Sequence, residues 1–313
     1  MPSPHPLVGR VLAGGRPIEV AAGAACATSP LEQLIVEVWH VIRGGGIVLL
    51  GEVHDNAEHH RVRGDILWPR LEPRFATRDL RPAAVFEHID TSQRERLDTF
   101  YAIAGRRQRQ AADLLRALLW DRSGWPAERI FEPLFDAALR AKLPILPGSA
   151  PRGRAGALAR GTAADVTDAE AAALDLARSM PAPLVAALED DLQASHCGMT
   201  PSVGFGTMSL TQRLADAHLA GQLLEGVKKQ GAAFLLAGNG HVRSDRGVAW
   251  HLRHLAPQRR VVSVVLAEVE DGKVDAAAYV PRAPDGAWAT DYVLLTPRQA
   301  RPDPCEKVRQ RRP

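Results

Sequence analysis

Gly44-Gly45-Gly46-Ile47-Val48-Leu49-Leu50-Gly51-Glu52-Val53-His54-Asp55-Asn56 decides how this chain folds. Three glycines interrupt a helical pattern, and four apolar residues then follow without alternation. A short, continuous apolar run of this kind marks a strand covered on both faces. Titratable side chains come immediately after it. The runs Ala83–Phe86, Leu143–Leu146, Ala232–Leu236 and Val261–Leu266 resemble it. Doubly buried strands separated by helical stretches imply an α/β fold, with a mostly parallel central sheet flanked by helices.

Outward from this core, residues 7–20 read as an edge hairpin around Gly14-Gly15. Leu31, Leu34, Ile35, Val38 and Ile42 have helical spacing. Further helices are expected over 56–72 and 93–120. Asp55, with Glu58 three residues on, reads as the cap of the first of these. The Ala-rich interval 150–226 reads as a helical insertion, with Ser209 and Gln212 forming a capping box for its last helix. Ala276–Val280 and Tyr292–Leu295 are expected to pair as an antiparallel edge. Residues 1–296 are thus expected to form a single domain, and 297–313 a basic, solvated tail.

The composition excludes several classes. With 313 residues, 46% hydrophobic and 24% charged, the chain can bury a full core and is not a disordered type. The formal net charge is +3, and residues 297–313 alone carry six basic and two acidic residues, or +4, leaving a body near −1. With 5% aromatics and no basic, aromatic-interleaved face, no nucleic-acid partner is expected. No run approaches a membrane-spanning length. Three cysteines, Cys26, Cys197 and Cys305, with no CxxC pair, imply no disulfide framework and are compatible with a reducing compartment. Gly23-Ala24-Ala25-Cys26 lacks the apolar stretch that a lipid-attachment signal needs, so the cytoplasm is slightly favoured over the periplasm.

Ligands of open parallel sheets bind beyond the carboxyl ends of the strands. Three of the runs are followed there by Gly51-Glu52-Val53-His54, by Glu87-His88 and by Gly238-Asn239-Gly240-His241. Glu52 and His54, two apart in extended chain, point to one side. Glu52, His54, Glu87 and His241 therefore form the candidate site. Two imidazoles and a carboxylate suit a divalent metal such as zinc or manganese with an open coordination position. The same residues could instead serve as metal-free acid and base. His59 reads as packed, His60 as surface, and His88 as lying behind the site. Residues 195–212 carry no charge and include His196, Met199 and Met208, an adaptable wall whose Met and His are haem-ligand types.

Gly51–Asn56, Phe86–His88, Ser195–Met199, Met208 with Gln212 and Asp216, and Gly238–Val248 together resemble the ChaN-like haem-binding uptake family of the Tiki superfamily. The resemblance runs from about residue 9 to 295. It implies an α/β fold with a helical part, a cleft at the Gly-x-x-His and Glu strand ends, and haem handling in iron uptake. His196, Met208, Gln212, His88 and Asn239 are then the expected haem contacts. Tiki and esterase-like relatives imply the alternative, a metal-dependent peptidase or an esterase working through Glu52, His54, Glu87 and His241. A homodimer is a further expectation. The chain departs from the family at Ala215, where an Arg is expected, and none of Tyr101, Tyr279 and Tyr292 matches the family's tyrosine iron ligand.

Overall fold

The computed structural model describes residues 5–19, 29–69, 80–103, 110–151, 178–199, 204–303 and 305–306. In chain order these form β1 (Val11–Ala13), β2 (Arg16–Pro17), α1 (Pro30–Arg43), β3 (Ile47–Leu50), α2 (Ala57–Leu67), β4 (Ala83–Asp90), α3 (Arg94–Ile103) and α4 (Ala111–Ala117). There follow α5 (Glu128–Arg140), β5 (Ile145–Ser149), α6 (Ala182–Ser195), α7 (Gly204–Gln230), β6 (Ala233–Leu236), α8 (Val248–Leu255), β7 (Val261–Glu268) and β8 (Tyr292–Thr296). The eight strands form one sheet in the order β2-β1-β8-β7-β3-β6-β4-β5. Every pair from β8 to β5 is parallel, and β1 runs antiparallel to both of its neighbours, β2 and β8.

The unalternated run Ile47–Leu50 is buried on both faces, as read. Val48 and Leu50 join α1, α2 and α5 in one core with Phe86, Phe131, Phe135 and Phe234. Ile47 and Leu49 face the other way, toward Leu219, Leu223 and Val227 of α7 and Val248 and Leu252 of α8. Each strand residue thus removes its side chain from water on one side or the other, which is what makes the central strands apolar throughout.

Register sets the position of the site. Leu50 is level with Leu236, and Leu236 with Phe86. The three strands therefore stop their apolar runs at one edge, and residues 51–54, 87–88 and 237–241 emerge side by side.

Several boundaries differ from expectation. Tyr292–Thr296 pairs parallel with β7 and antiparallel with β1, while residues 276–279 form a short 3-10 turn instead of a strand. The stretch 93–120 holds two helices, α3 and α4, and residues 104–109 lie outside the described set. Ser209 is buried inside α7, which is already helical from Gly204, so Ser209 caps nothing. Asn56, not Asp55, caps α2, its side chain accepting from the Glu58 and His59 amides. Residues 152–177 and 200–203 of the expected insertion lie outside the described residues, and α6 and most of α7 fall in its described part.

The cysteine reading is overturned. Cys197 and Cys305 form a disulfide across 108 residues of sequence. Spacing alone could not show it, because the α/β fold and the return of the chain past β8 bring the two together. Residues 297–303 correspondingly do not stand off as a tail. Arg301 forms paired hydrogen bonds with Asp55, both 2.7 Å, and with Glu268 at 2.6 and 2.7 Å.

Candidate functional site

Glu52, just past β3, is 2% exposed and sits among four basic groups. Its Oε1 accepts from His54 Nδ1 at 2.6 Å and from His88 Nε2 at 2.7 Å. Its Oε2 is ion-paired with Arg63 and lies 3.2 Å from His60 Nδ1. His60 donates its Nε2 proton to the His54 carbonyl at 2.9 Å and accepts from Arg63 through Nδ1 at 2.8 Å. It is therefore a neutral imidazole, and burial pushes its pKa down to about 3. His88 is likewise held well below the usual imidazole value, by burial first. His60 was expected at the surface; its side chain is wholly buried because α2 turns that face onto Phe131 of α5, 3.9 Å away between rings.

This network orients His54. With Nδ1–H committed to Glu52, the lone pair on Nε2 is bare, the arrangement in which a carboxylate prepares an imidazole as ligand or base. The His54 ring packs 4.9 Å from Trp125, whose indole N–H donates to the His88 carbonyl. Its side chain is 40% exposed. Burial lowers its pKa, partly opposed by Glu87. Gly238 lines the opposite side: a Cβ there would come within 3.0 Å of His54 Cε1 and 3.2 Å of Nε2.

A second carboxylate pair faces it. Glu87 accepts the Gly238 amide at 2.7 Å and lies 3.3 Å from His241 Nε2. His241 Nδ1 is 2.6 Å from Asp216 Oδ1 on α7, with Gln212 Nε2 3.0 Å away. Burial works against charge on His241, but Glu87 and Asp216 outweigh it and hold the imidazole well above its ordinary value. Burial would raise Glu87; cationic His241 and its hydrogen bond win and hold that carboxyl far below the usual range. Asp216 is raised by burial, against the pull of His241. This edge of the sheet thus presents one bare imidazole nitrogen, on His54, and one imidazole, His241, whose protonated form two carboxylates favour.

The candidate residues fall into two sets. Glu52, His54 and His88 bring ligand atoms within 4.8 Å of one another, and Glu87 pairs with His241. Met208 and Gln212 share a helical face with Asp216 on α7 by their four-residue spacing. Asn239 ties the loops together, its amide donating to the Glu52 carbonyl at 2.9 Å and its side chain to Leu266. His196 is turned back on its own helix, Nδ1 to the Leu192 carbonyl at 2.7 Å. Sequence reasoning missed Arg63, His60 and Trp125. The only available signal was Arg63 three residues after His60, which puts the two on one face of α2.

The sequence model of a family described as haem-binding uptake, Tiki superfamily, ChaN, matches residues 38–252, the segment that carries every one of these site residues. The chain belongs to that family. Its fold is shared with a solved structure described as cofacial heme binding to ChaN of Campylobacter jejuni. The TM-score is 0.64 at 19% identity, covering 91% of this chain and 95% of that one. The type III effector HopBA1 matches at a TM-score of 0.46 and 12% identity, over 90% of this chain and 100% of its own. No curated protein matches. Among the described residues no helix is long and apolar enough to cross a membrane.

Proposed function

We propose that this ChaN-family chain binds haem in the cleft between the strand ends and the α6–α7 side. The carrying observation is the Glu52-oriented His54 with its bare Nε2. When bound, the group supplies an iron centre that takes an imidazole ligand. The residues fit such a group. The tyrosines do not serve: the Tyr279 hydroxyl bonds the Lys273 carbonyl at 2.9 Å, Tyr292 opens β8 at the end away from the cleft, and Tyr101 packs on the core. His54 would hold the iron, while Trp125, Met208 and the half-exposed Met199 and Leu210 offer apolar surface for a porphyrin. Handling in iron or haem uptake follows from the family. The disulfide favours an oxidising compartment over the cytoplasm.

Hemin titrated into the purified full chain is expected to give a sharp Soret shift with one-to-one stoichiometry. His54→Ala should abolish or move that band, while His254→Ala on the outer side of α8 should keep it. An unshifted spectrum sinks the proposal. Light scattering of the loaded protein checks the expected homodimer.

A second reading has one observation in its favour. Glu52, His54 and His88 could hold zinc or manganese for hydrolysis. Against it, Arg63 already neutralises Glu52, and His88 spends its proton on the same oxygen as His54. Metal analysis of the protein as isolated, paired with its visible spectrum, separates the two readings.

A further inference from the structure

Beneath the cleft lies a cation that contact with a porphyrin does not require. Arg63, on α2, heads the fully buried side chains among the described residues. Its guanidinium works at one end. Nη2 is ion-paired with Glu52 Oε2 and bonded to His60 Nδ1 at 2.8 Å, while Nε and Nη1 have no hydrogen-bond partner among the described residues. Burying a cation is costly unless its partners need the charge. Here the two partners both hold His54. Glu52 Oε1 accepts the His54 Nδ1 proton at 2.6 Å, which leaves Nε2 bare. His60 Nε2 donates to the His54 backbone carbonyl at 2.9 Å. These two supports turn acceptor atoms toward each other: Glu52 Oε2 and His60 Nδ1 are 3.2 Å apart. Lone pairs that close repel unless a donor serves both. Arg63 Nη2 carries two protons, one for each. An arginine only donates, so His60 accepts at Nδ1, keeps its proton on Nε2 and gives it to the carbonyl.

We propose that Arg63 is the positioning residue of the His54 site: it fixes Glu52 in place and His60 in the tautomer that grips the His54 backbone, and so presents Nε2 to the cleft. The assignment rests on His54 as the haem-binding imidazole and deepens that reading. His88 does not replace Arg63, because its Nε2 proton goes to Glu52 Oε1, the oxygen that His54 already uses. Three substitutions separate the roles of this guanidinium. Arg63→Met fills much of the space and removes both protons, so His60 turns a protonated Nδ1 toward Glu52 and its tautomer is no longer fixed. Arg63→Lys keeps a cation with donors enough for both acceptors. Glu52→Gln, added to Arg63→Met, supplies the donor without charge. Its amide nitrogen takes the place of Oε2 and donates to His60 Nδ1, while its oxygen still accepts from His54.

The test uses the full chain with isotopically labelled histidine nitrogens, first without hemin and at neutral pH. Nitrogen NMR shifts report which ring nitrogens of His54 and His60 carry protons, and hemin is then titrated into the same samples. The parent is expected to show His54 bare at Nε2 and His60 bare at Nδ1. In Arg63→Met, His60 Nδ1 is expected to be protonated and hemin to bind about tenfold or more weakly, the usual loss on removing a group that supports a metal ligand. Arg63→Lys and Arg63→Met/Glu52→Gln should both return Nδ1 to its bare form and bind hemin more tightly than Arg63→Met does. If Arg63→Met fails to fold, its buried carboxylate being left unpaired, the other two variants decide by their spectra. A bare His60 Nδ1 in Arg63→Met, hemin affinity there equal to the parent's, or a protonated Nδ1 in Arg63→Lys and Arg63→Met/Glu52→Gln each overturns the assignment. The spectra need no hemin. If no chain binds hemin, the parent included, the haem reading fails and the spectra alone decide for Arg63.

Discussion

At the scale of single residues, His54 and Gly238 face each other across a contact with no slack. Adding one methyl at 238 would meet the His54 ring at 3.0 Å and come within 3.7 Å of Glu87 Oε2. The ring would have to give by a few tenths of an ångström, against its bond to Glu52 and its place against Trp125. Gly238→Ala is therefore expected to fold, because the loop is at the sheet edge, yet to bind hemin about tenfold or more weakly, a loss of about 1.4 kcal/mol. Spectral titration beside the parent checks it, and equal affinity would remove His54 from the binding surface. The Gly51-x-x-His54 and Gly238-x-x-His241 pairs were legible as chemistry because polar residues followed apolar runs. That Glu52 is already engaged by Arg63 and His88 was not, since those partners come from a helix and a strand 11 and 36 positions away in the sequence.

At the scale of elements, α7 is set onto the sheet by Gly226. A Cβ at that position would lie 2.7 Å from the Ala83 Cβ and 3.3 Å from Leu146 Cδ1. Small faces small there, and the helix can approach β4 closely. Gly226→Ala gains helix propensity but forces the helix off the strand, with a net cost of about 1–3 kcal/mol expected for overpacking. Urea denaturation measures it, and a stabilised variant would show that the helix has room to spare. The apolar runs were readable one strand at a time because each is covered on both sides. Helix limits were not: the 27-residue α7 runs straight through the Ser209–Gln212 pattern expected to start a helix there. Local capping chemistry is worth about 1 kcal/mol, too little to fix where a long helix starts when its far half, from Asp216 to Val227, is packed on the sheet.

At the scale of the whole molecule, buried histidines govern stability against pH. His59 donates or accepts at both nitrogens, with the Val53 amide at 2.9 Å and Thr296 at 2.7 Å, and burial holds it down at about 4. The unfolded chain binds that proton near 6.5, so between 6.5 and 4 the unfolded state carries more protons, and stability falls as pH falls. His60, pushed down to about 3, adds to the same slope, each group contributing about 1.4 kcal/mol per pH unit at most. His241 has the opposite sign: it keeps its proton in the fold after the unfolded chain has lost it, so stability falls as pH rises above 6.5. Thermal melts from pH 4 to 9 are expected to peak near neutrality. A profile that improves toward pH 4 contradicts the neutral assignment of His59 and His60.

The sequence by itself determined the α/β class, the doubly covered strands and the edge where Glu52, His54, Glu87 and His241 collect. Those follow from patterns of a few residues: apolar runs, glycines, and the polar residues after them. Only the tertiary structure decided which nitrogen is bare and which imidazole is held as a cation, because both depend on partners such as Arg63 and Asp216 that approach through space. It also decided that Cys197 meets Cys305 and that Arg301 lies beside the loop of His54. Long-range contacts of this kind are set by how the sheet and helices close, and no local spacing encodes them.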